Sequence, residues 1–193
     1  MRLSVILTSA LVLMSCAGMS AQREMLPGNT FKSKMPDITV KFDETLRYKG
    51  TFKLRAMPSS EEQLPARVEK EYHVWFDPEN HAGAVIIYYR LLETRFFWFE
   101  NMFNKNDPRA FFIKREGSWQ TRVGLTSPNE KEKTALHEMG VDFSRRTISK
   151  TWSKKTSSRF KTGIVYCEPY HGKSSDIIDA FVDRANNKVK ILN

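Results

Sequence analysis

From Ile38 onward the apolar side chains fall on alternate positions. Ile38, Val40, Phe42, Leu46, Tyr48, Phe52, Leu54 and Ala56 are all even-numbered. Successive side chains of a strand point to opposite faces, so period 2 over this length predicts extended chain with one buried face. Lys49-Gly50 is expected to turn it into a hairpin. Glu69 to Phe76 reads as a further strand, closed by the turn Asp77-Pro78-Glu79-Asn80. Ala84 to Leu92 is nearly all β-branched, aromatic or aliphatic, the composition of a central strand covered on both sides.

Later segments add two helices. Ala110 to Lys114 and Trp119 to Val123 form a hairpin around Glu116-Gly117-Ser118. Ser127-Pro128-Asn129-Glu130 reads as a helix start, with Ser127 as cap, Pro128 in the first turn and Glu130 completing a capping box; Gly140 ends it. Its apolar face (Ala135, Leu136, Met139) is narrow, so the helix is placed on the surface. Thr147 to Trp152 and Lys161 to Cys167 read as strands. Ser174 or Ser175 caps a last helix, Asp176 to Asn186, whose Ile177, Ile178, Phe181, Val182 and Ala185 form one broad stripe. Val189 and Ile191 suit a final short strand. The expected fold is α+β: a mostly antiparallel sheet, a C-terminal helix packed on it, and one minor surface helix.

The N-terminus carries an address. Arg2 precedes a short apolar run, Leu3 to Met14, which ends in Leu13-Met14-Ser15-Cys16. A dozen apolar residues suit a signal h-region and fall short of the roughly 20 needed to span a bilayer. The segment resembles the lipobox of bacterial lipoproteins, with Leu at −3, a small Ser at −1 and the cysteine to be lipidated. The resemblance covers residues 1–17 and implies removal of residues 1–15 and acylation of Cys16. Ordinary signal peptidase would instead cut after Ala17. Since Ala17 rather than Asp follows the cysteine, similarity to Gram-negative lipoproteins implies the outer membrane, with the domain facing the periplasm or the surface. Residues 16–36, with Gly18, Pro27, Gly28 and Pro36, read as the lipidated N-terminus and a flexible tether. A single domain is placed at 37–193.

Charge narrows the partners. Cleavage removes only Arg2, so the formal charge of +9 falls by one. Such a balance favours anionic partners: lipid headgroups, glycolipid, acidic glycan or the acidic face of another envelope protein. An envelope address argues against nucleic acid. Between Asp142 and Glu168 there is no acidic residue, yet there are seven cations: Arg145, Arg146, Lys150, Lys154, Lys155, Arg159 and Lys161. Nine Ser or Thr residues are interleaved. As a hairpin with its tip near Lys155-Thr156-Ser157-Ser158, this ribbon suits an anion-binding role. Lysines on a solvated edge also keep strands from pairing between molecules, and that reading stands beside the first.

Other features admit a structural role beside a functional one. The run Phe96-Phe97-Trp98-Phe99 with Phe103 suits either core or a lipid or peptide groove. His73, His81, His137 and His171 show no metal spacing; His137-Glu138 lacks the second His of HExxH because position 141 is Val. With Cys16 acylated, Cys167 has no partner within the chain, so the fold cannot rest on an internal disulfide or a cysteine zinc site. A lone Cys is most often a small buried hydrophobe. The order His81 then Cys167 also loosely resembles permuted papain-like envelope hydrolases, a resemblance that implies Cys167 as nucleophile and His81 as its base. Those enzymes place the cysteine at a helix N-terminus, whereas Pro169 follows here. Gly172-Lys173-Ser174 mimics the end of a P-loop, but the first glycine of that motif is missing: position 167 is Cys. The sequence therefore predicts a lipid-anchored envelope protein that binds rather than catalyses, without cofactor or metal.

Overall fold

The computed structural model describes residues 22–56, 67–92, 103, 106–143, 146–172 and 174–192. The signal, Cys16, Arg145, Lys173 and Phe96 to Phe99 lie outside the described residues. The chain is α+β, mostly antiparallel sheet, with two helices among the described residues. Eleven strands are described: β1 Arg23–Leu26, β2 Thr30–Lys34, β3 Asp37–Phe42, β4 Arg47–Ala56, β5 Val68–Asp77, β6 Ala82–Leu91, β7 Ala110–Glu116, β8 Trp119–Thr126, β9 Thr147–Lys155, β10 Phe160–Pro169 and β11 Val189–Ile191. Helix α1 spans Glu130–Glu138 and α2 spans Ser175–Lys188. The strands form two sheets, one ordered β1-β2-β3-β11 and one ordered β4-β5-β6-β10-β9-β8-β7.

The fold begins earlier than the sequence suggests. Residues 23–34, assigned above to a flexible tether, are β1 and β2, and β2 pairs with β3. Pro27-Gly28-Asn29 is a hairpin turn, not a linker: Gly28 and Asn29 take left-handed φ values of 69° and 53°. Asn29 is then used twice over. Its Nδ2 donates to Leu46 O at 2.7 Å and Asp43 O at 2.9 Å, and its Oδ1 accepts from Trp75 Nε1 at 3.2 Å. Only Phe31 marks β2 as a strand by its apolarity, and Ser33, its partner in register with the core, is polar but buried. That is why the periodicity escapes notice.

Position 50 is a bulge rather than a turn. The register slips between Tyr48 and Gly50, and Gly50 takes φ 129°. One extra residue in a strand rotates everything after it to the other face. Tyr48 therefore packs on Trp75, ring centroids 5.0 Å apart, while Phe52 stacks on Tyr72 at 4.4 Å on the opposite face. The even-numbered pattern continues unbroken in sequence but serves two cores.

On one face of the large sheet, Trp75, Ala84, Ile86, Ile164 and Tyr166 meet Phe31, Ile38, Val40 and Phe42 of the small sheet and Phe181 and Ala185 of α2. On the other, Tyr72, Val74, Phe76 and Val85 pack against Leu136 of α1 and Val141. Helix α1 starts two residues later than expected. Its cap is Asn129, whose side chain accepts from Glu132 N at 3.1 Å while Glu132 Oε2 accepts from Asn129 N at 3.1 Å. Glu132 also accepts from Tyr72 OH at 2.5 Å and from Lys70, so a tertiary contact fixes the register of the box. Ser174 caps α2 as its position suggests.

Candidate functional site: the basic end of the large sheet

Strand parity divides the basic run of β9 and β10. Ile148, Lys150, Trp152 and Lys154 share the face that α2 covers, and the side chains between them point the other way. Lys150 is 0% exposed. Its Nζ donates to Asn186 Oδ1 at 2.6 Å and Glu116 Oε1 at 3.2 Å, and lies 4.7 Å from the Trp152 ring. Burial lowers its pKa, and the Glu116 carboxylate works against that shift. Lys150 is thus a structural cation with no surface to offer a ligand. Lys161 is half-buried with Nζ 4.8 Å from the Tyr89 ring. Lys154 lies partly over Trp119 at 5.6 Å.

The run also separates along the strand. Arg146, stacked 5.6 Å from the Tyr170 ring, precedes the first residue of β9, and Lys155 is its last. Nine residues of strand put them roughly 30 Å apart. Seven cations close in sequence are therefore not one patch. Arg145 lies outside the described residues.

Register gathers a different set at the Lys155 end. Lys155 pairs with Lys161, Phe160 with Arg90, Arg90 with Glu69, and Glu69 with Arg55. Leu91 N donates to Arg159 O at 3.0 Å and Leu92 N to Arg67 O at 2.9 Å, which brings the starts of β5 and β10 and the end of β6 together. Arg55, Arg67 and Arg90 are far from the basic run in sequence, so only strand pairing reveals them. The acids nearby are engaged. Glu69 Oε2 lies 3.9 Å from Arg55 Nε, and Glu116 takes Lys114 and Lys150. Among the described residues Arg90, Lys155 and Arg159 have no ion-pair partner. Phe160, between Arg159 and Lys161, is 44% exposed. A groove of about 940 Å3 runs along the β7 edge beside this end, with Phe111 and Ile113 in its wall and Arg115 and Lys155 on it.

No family model, no curated protein and no solved structure matches the chain.

A second polar cluster lies between the two sheets. Glu71 on β5 is paired with Arg23 of β1, with Lys53 at 3.4 Å and with His73 Nε2 at 2.9 Å. The Arg23 guanidinium sits 3.9 Å over the Tyr88 ring, and Tyr48 OH lies 3.4 Å from His73 Nδ1. With its hydrogen on Nε2, neutral His73 donates to Glu71 and accepts from Tyr48, so both ring nitrogens are satisfied. Burial, with Arg23 and Lys53 close by, holds the imidazole neutral and lowers its pKa to about 4. Burial also raises the pKa of the Tyr48 phenol. Such groups lock sheets together; they are not poised for proton transfer at neutral pH. One faint sign of this cluster lies in the strand parity: Glu71 and His73 fall in phase with the fully buried Trp75.

Cys167 and His81 do not assemble into a nucleophile and base. Cys167 is buried opposite Gly83, and its Sγ donates to Gly83 O at 3.6 Å. Burial pushes its thiol up to about 12, so it is protonated at neutral pH. A Cβ on Gly83 would collide with the Phe143 ring, which closes the space beside it. His81 is exposed on the β5–β6 turn with φ 50°, where Asp77 Oδ1 accepts from Glu79 N and Asn80 N. Among the described residues no three His, Cys, Asp or Glu side chains converge as a metal site.

Proposed function

We propose that this chain is a lipid-anchored cell-envelope protein, held at the outer membrane through Cys16, whose domain binds an anionic envelope component without catalysing a reaction. The observation that carries the reading is that Arg90, Lys155 and Arg159, unpaired among the described residues, lie at one end of the large sheet together with the exposed Phe160. Cations that lack internal partners are available to an external anion, and an exposed aromatic between them can enter an interfacial layer. A glycolipid headgroup, an acidic glycan or an acidic protein face all present the required charge.

The test is binding of the full chain carrying Cys16→Ser, and so without its lipid, to vesicles containing phosphatidylglycerol as ionic strength is raised. Affinity should fall steadily with salt. At about 1 kcal/mol per cation near an anionic surface, Lys155→Glu with Arg159→Glu should weaken binding by about twenty-fold or more. Arg146→Glu, at the other end of β9, should leave it unchanged. Salt-independent binding, or equal loss from Arg146→Glu, would refute a site at the Lys155 end.

A further inference from the structure

The chain enters the fold at the same end that carries the exposed cations. Gln22, the first described residue, accepts from Lys34 N at 3.1 Å through its carbonyl oxygen. The next residue, Arg23, reaches between Glu71 and the Tyr88 ring. Glu71 is three residues from the start of β5, and Tyr88 pairs with Thr162, two residues from Phe160. The other end of β1 leads into Asn29, which takes the indole hydrogen of Trp75, two residues from the far end of β5. Strand β1 thus runs from the basic end toward the opposite end. The β2–β3 turn returns to the basic end and presents Lys34 and Met35, which is 53% exposed.

Since β1 is part of the fold, only five residues, or six Cα-to-Cα steps, separate Cys16 from Gln22. At about 3.5 Å per extended residue they reach at most about 20 Å. The ten-residue strands of the large sheet span roughly 30 Å. Charge attraction is screened within about 8 Å at physiological ionic strength, so a surface must be close to be felt. An anchor this short, attached at this end, keeps the basic end within about 20 Å of the leaflet that takes the acyl chains, so the cations can come into that range while the far end is held from it.

We infer that the occupant of the basic end is the anionic phospholipid headgroup layer of the anchoring leaflet itself. The lipid and the cations form one two-part membrane contact, with Phe160 and Met35 at the headgroup level. The domain stands on this end, and the far end, with Glu79 and His81 on the β5–β6 turn, faces away. The inference rests on acylation of Cys16. A single acyl chain gives only marginal membrane binding and gains stability from a polybasic patch; here the patch adds orientation to an anchor already held by its lipid.

The experiment uses the full-length lipoprotein reconstituted into vesicles of phosphatidylglycerol and phosphatidylethanolamine bearing a headgroup-attached nitroxide quencher. A fluorophore is placed at Ser158→Cys, on the β9–β10 tip, or at Glu79→Cys, on the far turn. Cys167, buried and protonated, stays unlabelled, and the mass of the N-terminal peptide is measured in the same preparation. The expected result is acylated Cys16 with quenching at position 158 several-fold stronger than at position 79. Equal quenching at both positions with Cys16 acylated overturns the orientation and leaves the anchor standing. An unmodified Cys16 overturns the inference at its premise. In the acylated protein carrying Lys155→Glu and Arg159→Glu, the difference between the two positions should shrink at least two-fold; an unchanged difference overturns the role of the cations.

Discussion

Lys150 and Lys155 sit five residues apart on one strand and have opposite fates. Lys150 lies under α2, held by Asn186 and Glu116, with no exposed surface. Lys155 points the other way from the end of β9, and among the described residues no carboxylate pairs with it. Odd separation along a strand changes the face, so the same residue type in one basic run becomes a structural post at one position and an exposed cation at the other. The same division separates Arg23, closed between the sheets, from Arg159 at the tip. Charge counted along a chain does not identify a binding surface until the strand parity of each cation is known.

The contrast can be broken most directly at Lys150. Removing one partner of a buried ion pair leaves the other uncompensated. Because Glu116 keeps some solvent, Lys150→Ala should cost about 3 kcal/mol of stability, near the lower limit for buried pairs. Urea unfolding measures this, and a loss below a few tenths of a kcal/mol would mean that Lys150 is not held as described. The same variant should bind anionic vesicles like the parent once corrected for any unfolded fraction.

Acid tests the interior next. His73 is neutral in the fold with a pKa near 4, and the unfolded chain protonates it near 6.5. The unfolded state therefore binds more protons in that window, so stability is complete above about pH 6.5 and declines as pH falls toward 4. The loss should be on the order of 3 kcal/mol. In His73→Gln this part of the pH dependence should disappear; an unchanged pH profile would assign the acid sensitivity elsewhere.

Smallest in stability, and most decisive for the comparison, is the tip. Lys155→Glu and Arg159→Glu touch no buried contact, so each should shift unfolding by no more than about 0.5 kcal/mol, while vesicle affinity falls. A tip variant as destabilised as Lys150→Ala would merge the two classes of cation into one.

Much of the architecture was legible because it repeats locally. The even-numbered run, the Asp77 turn, the Ser174 cap with its stripe of Phe181 and Ala185, and the short strand at Val189 follow from spacing alone. What was hidden depends on partners distant in sequence. The bulge at Gly50 changes the face of Phe52 without altering the pattern, because the extra residue shows only against β5. Asn129 rather than Ser127 caps α1 since Glu132 is also held by Tyr72. The candidate site was half visible: Lys155 and Arg159 lie in the basic run, whereas Arg55, Arg67 and Arg90 join only through the pairing of β4, β5, β6 and β10. Arg146 and Lys150 left the site for the same reason, one by distance along β9 and one by face.

The small sheet is closed by its last strand. β11 pairs with β3, and Lys188 Nζ meets Asp43 Oδ1 at 2.8 Å across 145 residues of chain. Contacts this remote in sequence form late, after the entropy of closing a long loop has been met. A polypeptide made N-terminus first therefore cannot complete the layer that holds Arg23 until residues 189–191 have emerged. Before then β1 to β3 have an open edge and half a core. The final strand acts as a latch on the order of events: the small sheet gains its last strand only after residues 189–191 have been made.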